Sequence, residues 1–310
     1  MALTQVPASM LANSGYELGM RNRIINGAMM IDQRNAGASV SVQTTTSFSI
    51  DRWAVPVTQN SKFTVQQNAG SVTPPTGFTN YLGITSSSAY SVLSSDILML
   101  RQAIEGFNVA DLGWGTANAA TVTLSFKVYS SLTGAFGGAI QNSGSTRSYP
   151  FTYSIPVANT WTSIILTIPG DTSGTWLTNN LVGMYLCLSL GMGSTYSGTA
   201  GSWAAADYRS ATGATSVVGT NGATFYITGV QLEKGSTATS FDYRPYGQEL
   251  ALCQRYFEKS FDTETAPANG ANASSFITTN GIYCGISNNN SGTGTFIKFA
   301  VSKRTAPTIA

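Results

Sequence analysis

Short stretches in which apolar and polar residues alternate restrict the fold of this chain more than any other feature of its sequence. In residues 121–131, TVTLSFKVYSS, the apolar side chains on one face are Val122, Leu124, Phe126 and Val128. A period of two residues is that of a β-strand, in which successive side chains point to opposite faces. The stretch therefore predicts a strand with one face in a core and the other face polar.

Comparable stretches recur through most of the chain and are separated by residues that favour turns. They are 39–50 (SVSVQTTTSFSI), 61–67 (SKFTVQQ), 147–157 (RSYPFTYSIPV), 161–170 (WTSIILTIPG), 184–193 (MYLCLSLGMG) and 223–233 (ATFYITGVQLE). Residues 96–107, DILMLRQAIEGF, fit a helical turn or a strand; we favour a strand because residues 83–95 before it are rich in turn formers. Short strands without intervening helices predict an all-β protein, a sandwich of two sheets of the jelly-roll type.

The predicted sandwich spans residues 21–246, and a different kind of segment precedes it. Residues 1–20 have no sustained apolar period, so we expect an extended N-terminal arm with at most one helical turn. Such an arm needs a partner to become ordered. The sequence therefore predicts an arm for docking and a sandwich as separate units.

Residues 247–310 break the strand pattern and form a third unit. In residues 247–260, GQELALCQRYFEKS, the apolar residues recur at helical spacing, which predicts a short amphipathic helix after Pro245. A linker of low hydrophobicity then leads to two strand-like runs, 274–287 and 292–304, which predict a small β-rich C-terminal segment. Two or three strands are marginal alone, so we expect this segment to pair with another subunit or to continue past residue 310.

The charge of the chain excludes several classes of partner. The net charge is +2, from 16 basic and 14 acidic residues that are spread thinly. A protein that binds nucleic acid needs a basic stripe against the phosphates, and we expect no such partner here. No apolar run reaches the length of about 18 residues that a membrane helix needs, so we expect no membrane insertion. The first ten residues lack the pattern of a secretion signal, which favours assembly in a cytoplasm.

The residue types present exclude most catalytic chemistry. Histidine is absent, which removes Ser-His-Asp and Cys-His catalysis and histidine-based zinc sites. The three cysteines, Cys187, Cys253 and Cys284, are odd in number and form no CxxC pair, so we expect buried free thiols rather than disulfides. No calcium-loop motif occurs, and we expect neither a metal nor a cofactor.

Carboxylates are the remaining candidates for catalysis. A glycosidase would need two of them facing each other across a sugar bond. The candidates, scattered singly among strand ends and turns, are Asp51, Asp96, Glu105, Asp111, Asp171, Asp207 and Glu233. In IPGDTSGTW, Asp171 is typical of a turn in which Asp bonds its own backbone and Gly174 takes a positive φ. We therefore expect a protein without enzymatic activity.

Tryptophans provide the candidates for ligand binding. Trp114 and Trp203 lie in glycine-rich stretches and, with Tyr208, offer an aromatic platform on which a glycan could stack. The alternative, which we favour for a tryptophan at a strand edge, is a place in the core or in an interface. Trp53 and Trp161 lie in strand patterns, where burial is expected.

Charged residues are concentrated near the start of the predicted sandwich, although they make up only 10% of the chain. They are Arg21, Arg23, Asp32, Arg34, Asp51 and Arg52. Arg34, Asp51 and Arg52 flank strand starts, so we predict a pair between Asp51 and an arginine that joins the first strand to its neighbour.

A second charged group lies where the chain leaves the predicted sandwich. In FDYRPYGQE, Asp242, Arg244 and Glu249 surround Pro245. The same reasoning predicts a structural charge pair here. Both groups are interpreted as fixing the course of the chain and not as carrying chemistry.

Three stretches resemble a family of bacteriophage proteins. NRIINGAMMIDQRNAG (22–37) with SIDRW (49–53) resembles its opening motif, NGxFxxWQRG followed by TADRW, and residues 224–259 resemble its closing motif. Residues 131–180 resemble the middle of the same family. The family comprises tail-fibre, tail-associated and head-fibre or decoration proteins of tailed bacteriophages and prophages. The chain departs from the pattern at residues 30–33, MIDQ, where an aromatic residue and WQ are common.

The resemblance implies a carbohydrate-binding-module-like jelly roll and supplies no catalytic residues. It favours a virion location and two functions, with other virion proteins as partners of the N-terminal arm. In the first, the chain is a tail-fibre or receptor-binding component that binds host surface polysaccharide. In the second, it is a capsid decoration, head-fibre or adaptor protein that binds only virion proteins. A glycan-depolymerising spike is a third alternative, and we expect a homotrimer because fibres are commonly trimeric.

The structural interpretation of Asp51 predicts the effect of its removal. Asp51→Ala should lower soluble assembly or the melting temperature, because the carboxylate is assigned to fixing strands. Glycan binding per folded molecule, measured by titration, should not change. A variant of normal melting temperature that has lost binding contradicts this interpretation.

Overall fold

Two antiparallel sheets form the core of the computed structural model, which describes residues 20–259, residue 265 and residues 299–308. The strands are β1 (Val40–Ser41), β2 (Phe48–Ile50), β3 (Trp53–Ala54), β4 (Phe63–Gln67), β5 (Leu82–Ser86), β6 (Ile97–Glu105), β7 (Val122–Ser130), β8 (Gly134–Asn142), β9 (Ser148–Ile155), β10 (Thr162–Ile168), β11 (Val182–Met192), β12 (Ser197–Gly198), β13 (Ser210–Ala211) and β14 (Thr224–Lys234). One α-helix, α1 (Tyr246–Gln254), follows them in the described part of the chain.

The order of the strands is that of a β-sandwich with crossing connections. Sheet A has the order β1-β4-β5-β14-β7-β10, and sheet B has the order β2-β3-β6-β11-β8-β9. Strands β12 and β13 form a separate parallel pair. Neighbours in sheets A and B are antiparallel, as in β7 with β14 and β6 with β11. The predicted all-β jelly-roll sandwich is confirmed.

Alternation along the strands explains why the two sheets pack face to face. In β7, Leu124, Phe126 and Val128 belong to one large buried cluster that both sheets share. In β11, Leu186 and Leu188 enter the same cluster from the opposite sheet. The stretch 96–107, for which we favoured a strand, forms β6. Removing these apolar faces from water stabilises the sandwich.

Helix α1 lies outside the sandwich core and packs against the first residues of the sandwich. Its Cys253 is buried in a small cluster with Ile25 and Ile31. The helix ends at Gln254, whereas the predicted stretch ran to residue 260. The next two residues, Arg255 and Tyr256, hydrogen-bond Glu105 of β6 through their side chains. Of the described residues, no helix is long and apolar enough to cross a lipid bilayer.

Several expectations fall on residues that the structure does not describe. They include the N-terminal arm, up to residue 19, the strand-like run 274–287 with Cys284, and residues 292–298. Residues 299–308 are described and contain no strand. They contact the sandwich and the end of α1: Lys303 Nζ donates to the Gln254 carbonyl at 2.6 Å, and Arg304 Nη1 donates to the Asn180 carbonyl at 3.0 Å.

Truncation of Trp53 tests the assigned core. Trp53 is fully buried and its Nε1 donates to the Asn26 carbonyl at 3.0 Å. Trp53→Ala should lower the free energy of unfolding by about 3–5 kcal/mol, because a cavity replaces the indole. Leu93, which is 60% exposed, is the control. Leu93→Ala should change the free energy of unfolding by less than about 0.5 kcal/mol in denaturant titrations. Equal losses of stability in the two variants contradict the burial of Trp53.

Candidate functional site

Each carboxylate considered for catalysis is hydrogen-bonded within the fold. The partners are Gln33 for Asp51, Tyr90 for Asp96, Arg255 for Glu105, Arg23 for Asp111, Arg147 for Asp171, Arg209 for Asp207 and Thr239 for Glu233. No group of three or more Asp, Glu, Cys or His residues within the described ranges could hold a metal ion. These oxygens therefore connect loops and strands, and they do not converge on one cleft.

Asp171 shows how one such carboxylate serves the fold. Its Oδ1 accepts the Ser173 backbone N–H at 3.1 Å, and Gly174 has a φ of 78°, which confirms the predicted turn. The carboxylate also accepts two hydrogen bonds of 2.7 Å from the Arg147 guanidinium, a pair that the sequence did not indicate. A bidentate pair of this kind fixes orientation.

The opening and closing stretches of the sandwich meet in a single polar junction. We call residues 20–35, residues 230–244 and α1 together the chain junction. Asn22 Oδ1 accepts the Leu232 backbone N–H at 3.1 Å, and Asn22 Nδ2 donates to the Val230 carbonyl at 3.1 Å. The two stretches are about two hundred residues apart in sequence, so the fold itself brings these motifs together.

Buried amide side chains complete the junction where regular strand pairing is absent. Gln102 of β6 holds both backbone groups of Ile25, donating to its carbonyl and accepting its N–H, each at 2.9 Å. Asn26 does the same for Ile31, with Nδ2 to the carbonyl at 2.8 Å and Oδ1 from the N–H at 3.0 Å. Gln102 and Asn26 are fully buried. Buried backbone groups must be hydrogen-bonded, and these amides satisfy them in a segment that has no strand partner.

Arg244 ties α1 to the start of the sandwich. Its Nη1 donates to the Ile24 carbonyl at 3.1 Å and to Glu249 Oε2 at 3.2 Å, and its Nη2 donates to the Asn22 carbonyl. Asp242 is 3.8 Å from Arg244 Nε. The charged group predicted around Pro245 therefore forms a network that spans the entry and the exit of the chain.

Asp51 is held by an amide, which corrects the expected pair with an arginine. Its carboxylate accepts the Gln33 backbone N–H at 2.7 Å and Gln33 Nε2 at 2.9 Å. Arg34 instead lies between two aromatic rings, with its guanidinium carbon 4.3 Å from the centroid of Phe48 and 4.0 Å from that of Phe257. Burial raises the pKa of Asp51, and the hydrogen bonds from Gln33 and the nearby charge of Arg34 offset only part of that rise.

Arg52 likewise has an aromatic partner in place of a carboxylate. Its guanidinium carbon lies 3.5 Å from the centroid of the Tyr256 ring, and its Nη2 donates to the Ala103 carbonyl. Burial lowers the pKa of Arg52. A stacked guanidinium keeps its charge with few hydrogen bonds, so Arg52 fastens the chain after α1 onto sheet B.

Glu105 of β6 forms an ion pair with Arg255, the residue that follows α1. It accepts hydrogen bonds from Arg255 at 2.6 and 2.9 Å and from the Tyr256 hydroxyl at 2.6 Å. Burial alone would raise the pKa of Glu105, but the hydrogen bonds from Arg255 and Tyr256 outweigh it, and the pKa is lowered. The end of α1 is therefore fastened to β6.

The predicted platform tryptophans pack against one another. Trp114 lies edge to face with Trp176 at 4.7 Å and with Trp203 at 5.3 Å between ring centroids. The three indole N–H groups donate to the carbonyls of Ala120, Ser173 and Pro169. Trp114 and Trp176 are buried, whereas Trp203 remains half-buried.

This tryptophan cluster therefore fastens three loops to one another. Tyr208 is half-buried and packs over Gly198, where an added Cβ would lie 2.2 Å from its ring. The cluster gives Trp114 a place in the core, the alternative that we favoured for strand-edge tryptophans. A glycan site at Trp203 and Tyr208 stays a prediction.

The cysteines offer no reactive group in the described part of the chain. Cys187 and Cys253 are buried free thiols. Burial raises the pKa of Cys187 to about 12 and raises that of Cys253 as well. A thiol of raised pKa is not ionised at neutral pH and is a poor nucleophile.

The outer face of sheet A carries an aromatic cluster that the sequence analysis did not identify. Tyr226 of β14 is opposite Tyr129 of β7, and their rings stack at 5.4 Å with an angle of 5°. Trp161, just before β10, lies 5.6 Å from Tyr129. Tyr81 stacks on Tyr226 at 5.1 Å and lies edge to face with Trp161 at 5.6 Å. The four rings thus form one compact cluster on the outer face of the sheet.

Two rings of this aromatic cluster are covered. Residues 68–75, which we call the strap, lie over Tyr81 and Tyr226, which are 0% and 4% exposed. The Tyr81 hydroxyl accepts the Val72 backbone N–H at 2.9 Å and donates to the Ala69 carbonyl. Trp161 Nε1 donates to the Thr73 carbonyl at 2.9 Å, so the strap ends beside Trp161.

The other two rings of the aromatic cluster, Tyr129 and Trp161, are partly exposed. Tyr129 is half-buried, and so is Trp161, although the strand pattern had predicted its burial. We define the open face as the outward side chains of β7 and β10 with Trp161, which are Ser125, Lys127, Tyr129, Trp161, Ser163, Ile165 and Thr167. Ile165 is 61% exposed, and Ser163 and Thr167 are exposed. Ser163 Oγ accepts a hydrogen bond from Lys127 Nζ, and Thr167 Oγ1 donates one to the Ser236 carbonyl. Aromatic rings beside a few polar groups are a composition found in ligand-binding surfaces.

Comparison with known proteins gives structural likeness only. No family model and no curated protein matches the chain. A putative sugar-binding protein from Bacteroides thetaiotaomicron is 13% identical, covering 69% of this chain and 100% of its own, with a TM-score of 0.40. A family 11 carbohydrate-binding module from Clostridium thermocellum is 9% identical, covering 65% and 98%, with a TM-score of 0.31.

A phage protein is also among the similar structures. The enzymatically active domain of tailspike protein 4 from bacteriophage CBA120 is 12% identical over 63% of this chain, with a TM-score of 0.37. The chain spans only 21% of that tailspike chain. Likeness at this level does not decide function, and the sandwich is assigned from the two sheets of this structure.

The pH dependence of stability tests the Glu105 pair. Because its pKa is lowered on folding, the pair stabilises the fold above the unfolded value of about 4.3, and this stabilisation is lost as the pH falls through the folded value. Glu105→Gln should lower the free energy of unfolding by about 1.5–3 kcal/mol at pH 7. The difference from the wild type should shrink below about pH 4.

A matched control distinguishes this pair from charge loss in general. Asp111, whose side chain is 45% exposed, pairs with Arg23 at 2.8 Å. Asp111→Asn should lower the free energy of unfolding at pH 7 by less than about 1 kcal/mol. Equal losses in denaturant titrations of the two variants contradict a special role for Glu105.

Proposed function

We propose that this chain is a non-catalytic virion protein of a tailed bacteriophage, of the tail-fibre type, whose sandwich binds a host surface glycan on the open face. The observation that carries the proposal is the pair Tyr129 and Trp161, left half exposed on a sheet whose neighbouring rings are covered by the strap. The virion assignment is supported by the opening and closing motifs, which meet in the chain junction.

The open face has the chemistry that a sugar requires. A pyranose ring has an apolar face that packs on aromatic rings, and the faces of Tyr129 and Trp161 are 5.6 Å apart between centroids, tilted by 52°. Ser163 of β10 is two residues from Trp161 and belongs to the outward set of that strand. Its Oγ accepts a hydrogen bond from Lys127 Nζ, and its own O–H remains a donor. Stacking and hydrogen bonding are thus available together.

The absence of catalysis in this proposal follows from the engaged carboxylates. A glycosidase needs one carboxyl group to give up a proton and a second to attack or to activate water. The seven candidates are each bonded to separate partners, and Glu105 and Asp171 are buried in pairs with arginine. Binding without cleavage is the function that these contacts support.

The chain junction suits a domain that is displayed on a larger assembly. The chain enters at Met20 and leaves the sandwich through α1, and Arg244 hydrogen-bonds both parts. A domain fixed at one point leaves its sheet faces accessible. We propose that the N-terminal arm docks on other virion proteins and that the assembled protein is a homotrimer.

A second candidate function is a decoration or adaptor protein that binds only virion proteins. Exposed aromatic residues at the junction favour it: Tyr243 is 57% exposed and Tyr246 is 49% exposed. Both lie where the chain passes from the sandwich to α1. Large exposed aromatic groups are typical of protein interfaces.

Binding to an array of bacterial surface polysaccharides separates the two functions. Saturable binding by the full chain, with no shortened products in the same samples, supports the glycan-binding fibre. Shortened products contradict the non-catalytic proposal. An absence of binding to every polysaccharide, with the chain folded, favours the adaptor function instead.

Variants of two tyrosines locate the site. Tyr129→Ala should weaken binding to the polysaccharide found on the array about tenfold, because one stacking surface of about 1–1.5 kcal/mol is removed. Tyr185→Ala is the control, since Tyr185 is also half-buried but lies under Arg101 on the outer face of sheet B. Titration calorimetry measures the affinities, and melting temperatures confirm folding. Equal losses for both variants, or a loss for Tyr185→Ala alone, contradict a site on the open face.

A further inference from the structure

Lys127 lies at the centre of the open face. On β7 it is opposite Ser163 of β10 and opposite Thr228 of β14. Its Nζ donates to Ser163 Oγ at 2.9 Å. Tyr129 is two residues further along β7, so the two backbone positions are about 6.8 Å apart at the spacing of an extended strand. The ammonium group is therefore one sugar unit from the stacking surface.

The charge of Lys127 is not used by the fold. Within the described ranges no carboxylate lies within ion-pair distance of its Nζ. Basic residues that do form ion pairs are Arg21, Arg23, Arg147, Arg209, Lys234, Arg244, Arg255 and Lys303. Four others lie over aromatic rings, namely Arg34, Arg52, Lys62 and Arg101. In a chain with few charges, Lys127 differs from these residues by facing outward with only a hydroxyl partner.

The surroundings of Lys127 favour an anion. The other side chains of the open face are neutral: Ser125, Tyr129, Trp161, Ser163, Ile165 and Thr167. The nearest carboxylate along the neighbouring strand of sheet A is Glu233, which is buried and accepts hydrogen bonds from Thr239. A ligand carboxylate would form a charge-assisted hydrogen bond with the ammonium group, which is about twice as strong as a neutral one. A neutral sugar would leave this charge unpaired in the complex.

We infer that the open face selects a polysaccharide whose sugars carry carboxylate groups, with Lys127 as the residue that determines this specificity. The inference rests on the proposed function, because it names the ligand class of the same site. A sugar ring stacks on Tyr129 or Trp161, and the carboxylate of that sugar or its neighbour reaches Nζ. The hydroxyl of Ser163 keeps Nζ in place.

The test compares acidic polymers with their neutral forms. The probes are polygalacturonate, alginate and hyaluronan, each native and after chemical reduction of the carboxyl groups to alcohols, with dextran sulfate as a general polyanion. At least one native polymer should bind the full chain about tenfold more tightly than its reduced form. Dextran sulfate should bind no better than the reduced polymers.

Two variants and a control assign the effect to Lys127. Lys127→Gln should lose the preference for the native polymer and keep the affinity for the reduced one, whereas Lys127→Arg should keep the preference. Lys62→Gln removes the same charge from a residue that lies over the Tyr90 ring at 4.4 Å and should leave the preference unchanged.

The outcomes separate this inference from the proposed function. Equal affinity for native and reduced polymers, or equal losses in Lys127→Gln and Lys62→Gln, overturns the inference. The inference is also overturned if none of the three acidic polymers binds while a neutral glycan from the polysaccharide array binds through Tyr129. That result leaves the proposed function in place. Failure to bind any glycan overturns both.

Discussion

Buried amide side chains at the chain junction are the interaction on which the rest of the structure depends. The first residues of the sandwich have no regular strand partner, yet their backbone groups lie in the interior, where an unpaired N–H or carbonyl is costly. Asn22, Asn26 and Gln102 supply the missing partners. These three residues hold the entering chain against β14 and β6.

The junction also accounts for the distribution of charge. Most of the basic groups are paired or stacked where the chain enters and leaves or where loops are fastened, as with Arg244 and Glu249 or Arg147 and Asp171. Burial makes each such group costly unless a partner is present, so the pairs are structural. Lys127, in contrast, has no carboxylate partner among the described residues and lies beside partly exposed aromatic rings. The proposed preference for an acidic glycan rests on this difference.

The local sequence pattern predicted several strands and turns correctly, but it did not predict which side chains are hydrogen-bond partners. The alternation in residues 121–131 identified β7 and its buried face, and the residues around Asp171 identified a turn. The partner of Asp51 was not identifiable, because Gln33 and an arginine satisfy a carboxylate equally well on paper. Only the packed structure shows that the backbone N–H and the side-chain Nε2 of Gln33 each donate to one Asp51 oxygen while Arg34 stacks on rings. The amides that replace strand pairing left no local pattern, since Asn and Gln are common in loops.

The sequence by itself determined the class of fold, the positions of the longest alternating strands and which face of those strands is apolar, because a period of two residues is a local property of the backbone. It did not indicate β5 (Leu82–Ser86), which lies mostly in a stretch rich in turn formers, or β8 (Gly134–Asn142), which is rich in glycine and alanine. It also determined what chemistry is excluded, since histidine is absent. Tertiary structure decided which strands are neighbours and which outer faces are covered. The pattern treats Tyr129 and Tyr226 alike, but the strap, from a distant part of the chain, buries Tyr226 and leaves Tyr129 and Lys127 open. Coverage by remote segments depends on long-range packing, and no local period encodes it.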